Sequence, residues 1–275
     1  ATGDWGFFGS ITGTLTAVTI DQTGPAADDY LVYSGPGSLP LQLGRGYWLK
    51  LNRSVTFSPV GNMAPSGSLS VNLDPGWQQV GNPYFSQIDM AAATVTYQGT
   101  TMDLASADTA GVMRQAFWTY DAQTSGYNVA APFLGIGDTK IDPWEGLWVR
   151  VEKRCSLTLP RPGAVSAGIS PAAVQTAADD ADEWFTRLSV RGERGADADN
   201  FFGVSPTLAS MAPLQNPPRT GEGVDLAFMD TTGNPLAGQF SATEAREMAW
   251  DVVVCGNPGE RVQVWCPAPG DIPHG

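Results

Sequence analysis

Residues 46–51 read Gly-Tyr-Trp-Leu-Lys-Leu, and residues 146–151 repeat this pattern as Gly-Leu-Trp-Val-Arg-Val. Each copy runs into a second β-like stretch, at residues 54–57 and at residues 155–159. A strand–turn–strand unit of this size cannot bury its own apolar face, so its repetition is typical of stacked or paired β units. We therefore expect the two copies to form superposable strand pairs related by an approximate internal symmetry.

The rest of the chain consists mostly of short β-branched or alternating stretches separated by turn signals. Residues 69–73 and 94–97 are examples of such strands, and Gly-Pro-Gly at residues 35–37 is an example of such a turn. Many short strands with closely spaced turns favour sandwiches or barrels. The predicted fold class is all-β, with a repeat-bearing β barrel or sandwich domain followed by a smaller β-sandwich domain.

The domain boundary is predicted near residue 165. There the second repeat ends in Leu-Pro-Arg-Pro-Gly, and a stretch of small and then acidic residues follows, as in a linker. A chain of 275 residues is long enough for two domains. The predicted organisation is a β domain at residues 1–160 built from two related units (about 1–60 and 68–160), a linker or connecting arm at 161–182, and a β-sandwich-like domain at 183–275.

The chain is strongly acidic, with 28 Asp and Glu against 15 Lys and Arg and a net charge of −13. Binding to nucleic acid relies on basic side chains that neutralise phosphates, so this balance disfavours a nucleic-acid partner. It disfavours an anionic membrane surface for the same reason. The sequence has no apolar run of about 18 residues, the length that a transmembrane helix needs. We predict neither a nucleic-acid partner nor membrane insertion.

Asp197, Asp199 and Asn200 offer oxygen ligands within four residues and form the candidate Ca²⁺ site. The glycine and the glutamate that an EF-hand loop requires are missing from this stretch. A solvated turn is the alternative interpretation, because aspartate also favours turns by bonding to the nearby backbone.

Cys255 and Cys266 flank a segment that opens with Gly-Asn-Pro-Gly, a strong turn signal. Strand-like residues lead into and out of this segment, so a hairpin would bring the two thiols together. A disulfide that closes so short a loop would stabilise the fold by roughly 2–3 kcal/mol and would indicate an extracellular protein. Cys155 would then be a buried apolar side chain. Three free core cysteines are the alternative.

Three motifs carry a resemblance to a known class of protein. They are Gly-Trp-Gln-Gln-Val-Gly-Asn-Pro-Tyr at residues 76–84, Phe-Trp-Thr-Tyr at 117–120 and Gly-Leu-Trp-Val at 146–149. Together they resemble the tandem β modules of large secreted bacterial surface proteins, although Leu147 replaces the usual aromatic residue. Residues 199–204 resemble the β-sandwich module that often trails such repeats. The resemblance implies extracellular attachment or scaffolding and supplies no catalytic residues.

The sequence offers little for catalysis. Its single histidine, His274, is the penultimate residue, and nucleophilic triads need a positioned imidazole. Glycoside hydrolysis needs only two carboxylates, and Asp121, Asp142 and Glu145 lie near tryptophans in the sequence. Ordinary loop acids beside core tryptophans are the preferred interpretation. We therefore predict that the chain is not an enzyme.

Four of the nine tryptophans fall into two predicted groups. Trp48 and Trp148 occupy equivalent positions of the repeat within strands and are expected in the core, where they would bury a large apolar area. Trp77 and Trp144 adjoin turns and are the candidate carbohydrate-binding residues.

The predicted function is that of a non-enzymatic structural or attachment protein at the cell surface or outside the cell. A carbohydrate-binding module or glycosidase accessory domain is the first alternative. The second is a subunit of an extracellular fibre that assembles through edge strands or a donated segment. The expected partners are other copies of the chain, other surface proteins or a polysaccharide, and no cofactor is expected beyond the candidate Ca²⁺.

Overall fold

A computed structural model of the protein describes residues 15–20, 30–32, 42–51, 66–164, 183–219 and 223–266. Within these ranges the secondary structure is nearly all β, with two short α-helices and two single turns of 3₁₀ helix. The all-β fold class is confirmed. The predictions made for residues 54–57, for most of the connecting arm and for His274 lie outside the described residues.

The elements are short and follow one another closely. In the first part of the chain they are β1 (Leu15–Ile20), β2 (Tyr30–Val32), β3 (Trp48–Leu51), β4 (Leu69–Leu73), β5 (Gly76–Gly81), β6 (Ile88–Asp89), β7 (Thr94–Tyr97), β8 (Thr100–Asp103), α1 (Leu104–Thr109), β9 (Met113–Asp121) and β10 (Gly126–Ala130). The remainder are β11 (Lys140–Ile141), β12 (Gly146–Val151), β13 (Cys155–Leu159), β14 (Trp184–Arg191), β15 (Ala196–Val204), α2 (Pro206–Ser210), β16 (Leu214–Gln215), β17 (Asp225–Met229), β18 (Pro235–Ser241), β19 (Val252–Cys255) and β20 (Gln263–Trp265).

The chain divides into two compact units. Unit 1 contains Ala1–Phe117 and Asp138–Ser170, and unit 2 contains Trp118–Gly137 and Pro171–Gly275. The predicted boundary had left residues 118–137 in the first domain. These residues instead belong to unit 2, because the Ala196 N–H donates to the Thr124 carbonyl and the Val129 N–H donates to the Asp199 carboxylate.

Unit 1 contains several small sheets. β4, β13, β7 and β8 follow one another in a four-stranded sheet, β9, β12 and β5 lie side by side in another, and β11 pairs with β6. β1 lies between β2 and β3 in a three-stranded sheet. Buried and half-buried residues alternate along β13, which is the pattern of a sheet with one wet face, whereas the middle of β5 is buried throughout.

The two copies of the repeat meet but do not form equivalent strand pairs. β12 pairs with β5, whereas β13 pairs with β4 and β7 in a different sheet. The expected strand pair at residues 146–159 is therefore wrong. The two copies meet at the Val80 carbonyl, where a Cβ on Gly46 would lie only 2.9 Å from the carbonyl oxygen and one on Gly146 would lie 3.8 Å from the Gly46 Cα. Close backbone approach thus explains the glycine at position 46.

Both equivalent tryptophans lie on strands. Trp148 is 2% exposed and its ring meets the ring of Trp77 edge-on, with the centroids 6.3 Å apart. Trp48 is half-buried. The core placement is therefore confirmed for Trp148 and holds only in part for Trp48.

Unit 2 contains a seven-stranded sheet. The strand order is β19, β17, β18, β15, β14 and β20, with β16 paired beside β18. β15 and β18 run parallel and the other pairs of this sheet are antiparallel. Trp184, Phe202 and Trp250 pack their rings together against the apolar core, which includes Leu226 and Phe228.

The predicted hairpin between Cys255 and Cys266 is wrong. Cys255 ends β19 at one edge of the sheet and pairs through β17, whereas Cys266 follows β20, which pairs with β14 at the other edge. Both are free thiols in the structure. Cys155 is free as well, and its burial raises the pKa of the thiol to about 11, as expected for an inert core cysteine.

Replacement of Trp148 by alanine should lower the free energy of unfolding by about 3–5 kcal/mol, because it leaves a large cavity beside Trp77. Urea denaturation followed by circular dichroism measures the change. The matched control is Trp144→Ala in the same unit, which removes an exposed ring and should change stability by less than about 0.5 kcal/mol. Equal losses in the two variants would contradict the core role of Trp148.

Candidate functional site

The loop after β5 is fixed by the side chain of Asn82. Its amide nitrogen donates to the carbonyls of Ser86 and Ile141, both at 3.0 Å, and its amide oxygen accepts from the Tyr84 N–H at 2.9 Å. The buried Tyr84 in turn donates its hydroxyl to the Gly67 carbonyl at 2.7 Å. Residues 82–86 are thereby held in one conformation, with Phe85 at the surface.

The second loop, at residues 142–145, is a tight turn. The Glu145 N–H donates to the Asp142 carbonyl at 3.2 Å, and the Glu145 carboxylate accepts from the Asp142 N–H at 2.9 Å. Trp144, the third residue, has a φ of +69°. Since Pro143 holds its own φ near about −65°, this pattern is that of a type II turn, whose third position normally requires glycine. A tryptophan in this left-handed conformation is strained and points to a functional constraint.

The two loops present their aromatic rings side by side. Phe85 is 59% exposed and Trp144 is 66% exposed, and their rings meet at 65° with the centroids 5.9 Å apart. We call this pair the aromatic corner. A hydrogen bond next to the rings also connects the two loops: the Gln87 side-chain amide donates to the Asp142 carboxylate at 2.7 Å. An exposed aromatic pair on fixed loops is suited to binding an apolar or amphipathic ligand.

Of the two predicted carbohydrate-binding tryptophans, only Trp144 is available to a ligand. Trp77 is 7% exposed and packs edge-on against Trp148, with the Arg150 guanidinium 6.0 Å from its ring centroid. The prediction for Trp77 is therefore wrong, because the residue lies in the buried strand β5 and not in the preceding turn. Phe85 was missed, although the Gly-Asn-Pro turn signal followed by Tyr-Phe indicated aromatic residues in a loop.

The three candidate carboxylates each accept hydrogen bonds within their own unit. Asp121 belongs to unit 2, where its oxygens accept from the Gln123 N–H and the Thr124 hydroxyl of its own turn. Asp142 and Glu145 belong to unit 1, where they close the turn that carries Trp144. The carboxylates of Asp121 and Glu145 thus each stabilise a local turn, whereas the Asp142 carboxylate accepts from the Gln87 side-chain amide of the first loop.

The candidate Ca²⁺ residues lie at a register shift in the pairing of β14 with β15. The Asp197 carboxylate accepts from the Leu226 N–H of β17 at 2.8 Å, and the Asp199 carboxylate accepts from the Val129 N–H of β10 at 2.8 Å. Asn200 is buried, with its amide near the Asp197 carboxylate. Within the described ranges, no three acidic, cysteine or histidine side chains form a group suited to a metal ion. The Ca²⁺ site stays a prediction.

A second acidic feature of unit 2 is the cleft beside Asp225. It is lined by Tyr120, Tyr127, Asp197, Arg219 and Asp225, among others, and its volume of about 20 Å³ leaves room for a single water molecule. Burial, and to a smaller extent the negative charge of Asp197, raises the pKa of Asp225 to about 6. The Arg219 guanidinium acts in the opposite direction and lowers this pKa, but by less. The cleft places the Asp225 carboxyl beside Asp197 and Arg219, so its contribution to stability depends on pH.

Comparison with protein-family models, with curated proteins and with solved structures finds no match to this chain. The resemblance to secreted β modules therefore stays a prediction. Among the residues that the structure describes, no helix has the length and apolar character needed to span a membrane.

Lowering the pH should stabilise unit 2 through Asp225. Its pKa is 3.8 when exposed and about 6 in the fold, so the folded state binds the proton more tightly and stability rises as the pH falls through this window. The contribution is about 3 kcal/mol at full protonation. Asp225→Asn should make the dependence of unfolding free energy on pH less steep between about 4 and 6, measured by denaturation at each pH. The dependence that remains comes from Asp197 and Asp199, because burial raises the pKa of these carboxyls as well.

The matched control for this experiment is Glu247→Gln, which changes an exposed carboxyl of the same unit and should leave the pH profile of the parent chain intact. A profile that is unchanged in Asp225→Asn would contradict the effect of burial on this carboxyl.

Proposed function

We propose that the chain is a non-enzymatic attachment module that binds polysaccharide through the aromatic corner. The observation that carries the proposal is the exposure of Phe85 and Trp144 on two loops that are hydrogen-bonded to each other. The C–H face of a pyranose ring is apolar and its rim is polar, so it suits an exposed aromatic ring beside amide and carboxylate groups. Because the loops are already ordered, binding would cost little conformational entropy.

The backbone strain at Trp144 supports a role in binding. Glycine would relieve a φ of +69° and would fit the turn, yet the position holds the largest side chain. A ring that is 66% exposed contributes little to the core. Ligand binding accounts for a bulky aromatic residue at a position where it gives the fold so little.

An extracellular location is part of the proposal. It is supported by the resemblance of residues 76–84 and 146–149 to modules of secreted surface proteins. The absence of a bond between Cys255 and Cys266 removes the second argument for this location. The attachment role itself depends only on the aromatic corner.

Trp144→Ala should weaken binding to a polysaccharide by at least about tenfold, since the loss of an aromatic contact of about 1.4 kcal/mol is a factor of ten. Phe85→Ala should have a similar effect, and Trp144→Phe should retain part of the affinity. Affinity electrophoresis in gels that contain a panel of polysaccharides measures retention of each variant.

The control is Trp265→Ala, which removes a ring of unit 2 that is 75% exposed and should leave retention unchanged. If the double variant Phe85→Ala, Trp144→Ala is retained by the polysaccharide gel as strongly as the parent chain, the proposal is contradicted. If the parent chain releases reducing ends from a polysaccharide and Asp142→Asn does not, the chain is a glycosidase and not an attachment module.

Assembly by strand pairing is a second candidate function, favoured by the edge strand β20. Within the described part of unit 2 this strand pairs only with β14. The side chain of Val264 is 50% exposed and that of Trp265 is 75% exposed. An edge strand with exposed apolar side chains is a template for pairing with another strand. We propose that a second copy of the chain can add at this edge.

Sedimentation velocity at increasing protein concentration tests this candidate. The parent chain should associate, and Val264→Lys should remain monomeric because a charge on an edge strand opposes pairing. Ala245→Lys adds the same charge at an exposed position outside the strands and should associate like the parent. A parent chain that is monomeric throughout would exclude strand pairing.

A further inference from the structure

The angle between the two rings of the aromatic corner limits the shape of its ligand. With the planes at 65° and the centroids 5.9 Å apart, a flat surface that lies on one ring meets only the edge of the other. A crystalline polysaccharide presents such a flat surface, and coplanar rings would be needed to engage it with both residues. A single sugar chain can instead place a pyranose face on one ring and its side against the other.

The charge of the two chain segments that carry the aromatic corner limits the ligand further. Residues 82–89 and 138–145 contain four acidic side chains and one basic side chain, a net charge of −3. The acidic residues are Asp89, Asp138, Asp142 and Glu145, and the basic one is Lys140. Repulsion by this charge disfavours polysaccharides that carry carboxylates or sulfates.

A polar pair lies next to the corner. Gln87 is two residues from Phe85 and Asp142 is two residues from Trp144, and the Gln87 amide nitrogen donates to Oδ1 of Asp142. Both residues are exposed, and the Gln87 amide oxygen and Oδ2 of Asp142 can accept hydrogen bonds from hydroxyl groups. Hydrogen bonds to an ionised carboxylate are stronger than those to neutral acceptors, so Asp142 would contribute specificity.

We infer that the aromatic corner binds a single hydrated chain of a neutral polysaccharide, with Gln87 and Asp142 accepting hydrogen bonds from its hydroxyl groups. The inference rests on the proposed attachment function and narrows it to one class of ligand. It excludes crystalline surfaces by the angle between the rings and polyanions by the local charge.

Four probes test this inference on the full chain: a soluble neutral β-glucan, microcrystalline cellulose, soluble polygalacturonate and vesicles of phosphatidylcholine. Titration calorimetry with the soluble polymers and co-sedimentation with the particles should give binding to the β-glucan at least about tenfold tighter than to the other three. Asp142→Asn keeps an acceptor for Gln87 but removes the charge. It should weaken β-glucan binding by about three- to tenfold and reduce the discrimination against polygalacturonate.

Asp121→Asn removes a carboxylate of unit 2 that closes its own turn and should leave all four results unchanged. The inference is overturned if the chain binds cellulose or polygalacturonate at least as tightly as the β-glucan and if this binding requires Trp144. The attachment function would still stand in that case. Binding to none of the polysaccharides, or to the vesicles alone, would overturn both.

Discussion

The candidate site depends on Asn82. Its backbone N–H donates to the Glu145 carbonyl, and its side chain bonds to Tyr84, Ser86 and Ile141. One residue thus satisfies four backbone groups in two segments, 84–86 and 141–145, that are distant in sequence. A buried or half-buried amide that is fully bonded is costly to replace, because each lost partner leaves a polar group unsatisfied. The position of both exposed rings follows from this network.

The sequence predicts the fold class better than the pairing of the strands. Strand-length β-branched stretches and frequent turns were sufficient to predict an all-β chain. The hairpin between Cys255 and Cys266 failed because its strands lie at opposite edges of one sheet, and the order of strands across a sheet leaves no mark on local sequence. The strand pair after the second repeat failed because β12 and β13 belong to different sheets. Long-range pairing decided both cases.

The candidate site was half predictable for the same reason. Trp77 and Trp144 both adjoin turns in the sequence, but Trp77 is the second residue of a buried strand and Trp144 lies within a turn closed by Asp142 and Glu145. The aspartates of β15 illustrate a second ambiguity. Asp197 and Asp199 carry the oxygens that a cation needs, and in the fold each also accepts a backbone N–H from another strand, so the Ca²⁺ site stays a prediction. Spacing in sequence cannot distinguish a ligand from an acceptor for a neighbouring strand.

The left-handed backbone at Trp144 sets stability and binding against each other. Glycine at this position would remove the steric conflict of a side chain at positive φ, which costs about 1–2 kcal/mol in other residues, and the turn would keep its closing hydrogen bond. A selection for thermal stability alone would therefore favour loss of the ring. If selection for attachment keeps tryptophan at this position, the presence of the ring itself indicates that the surface binds a ligand, even when that ligand is not known.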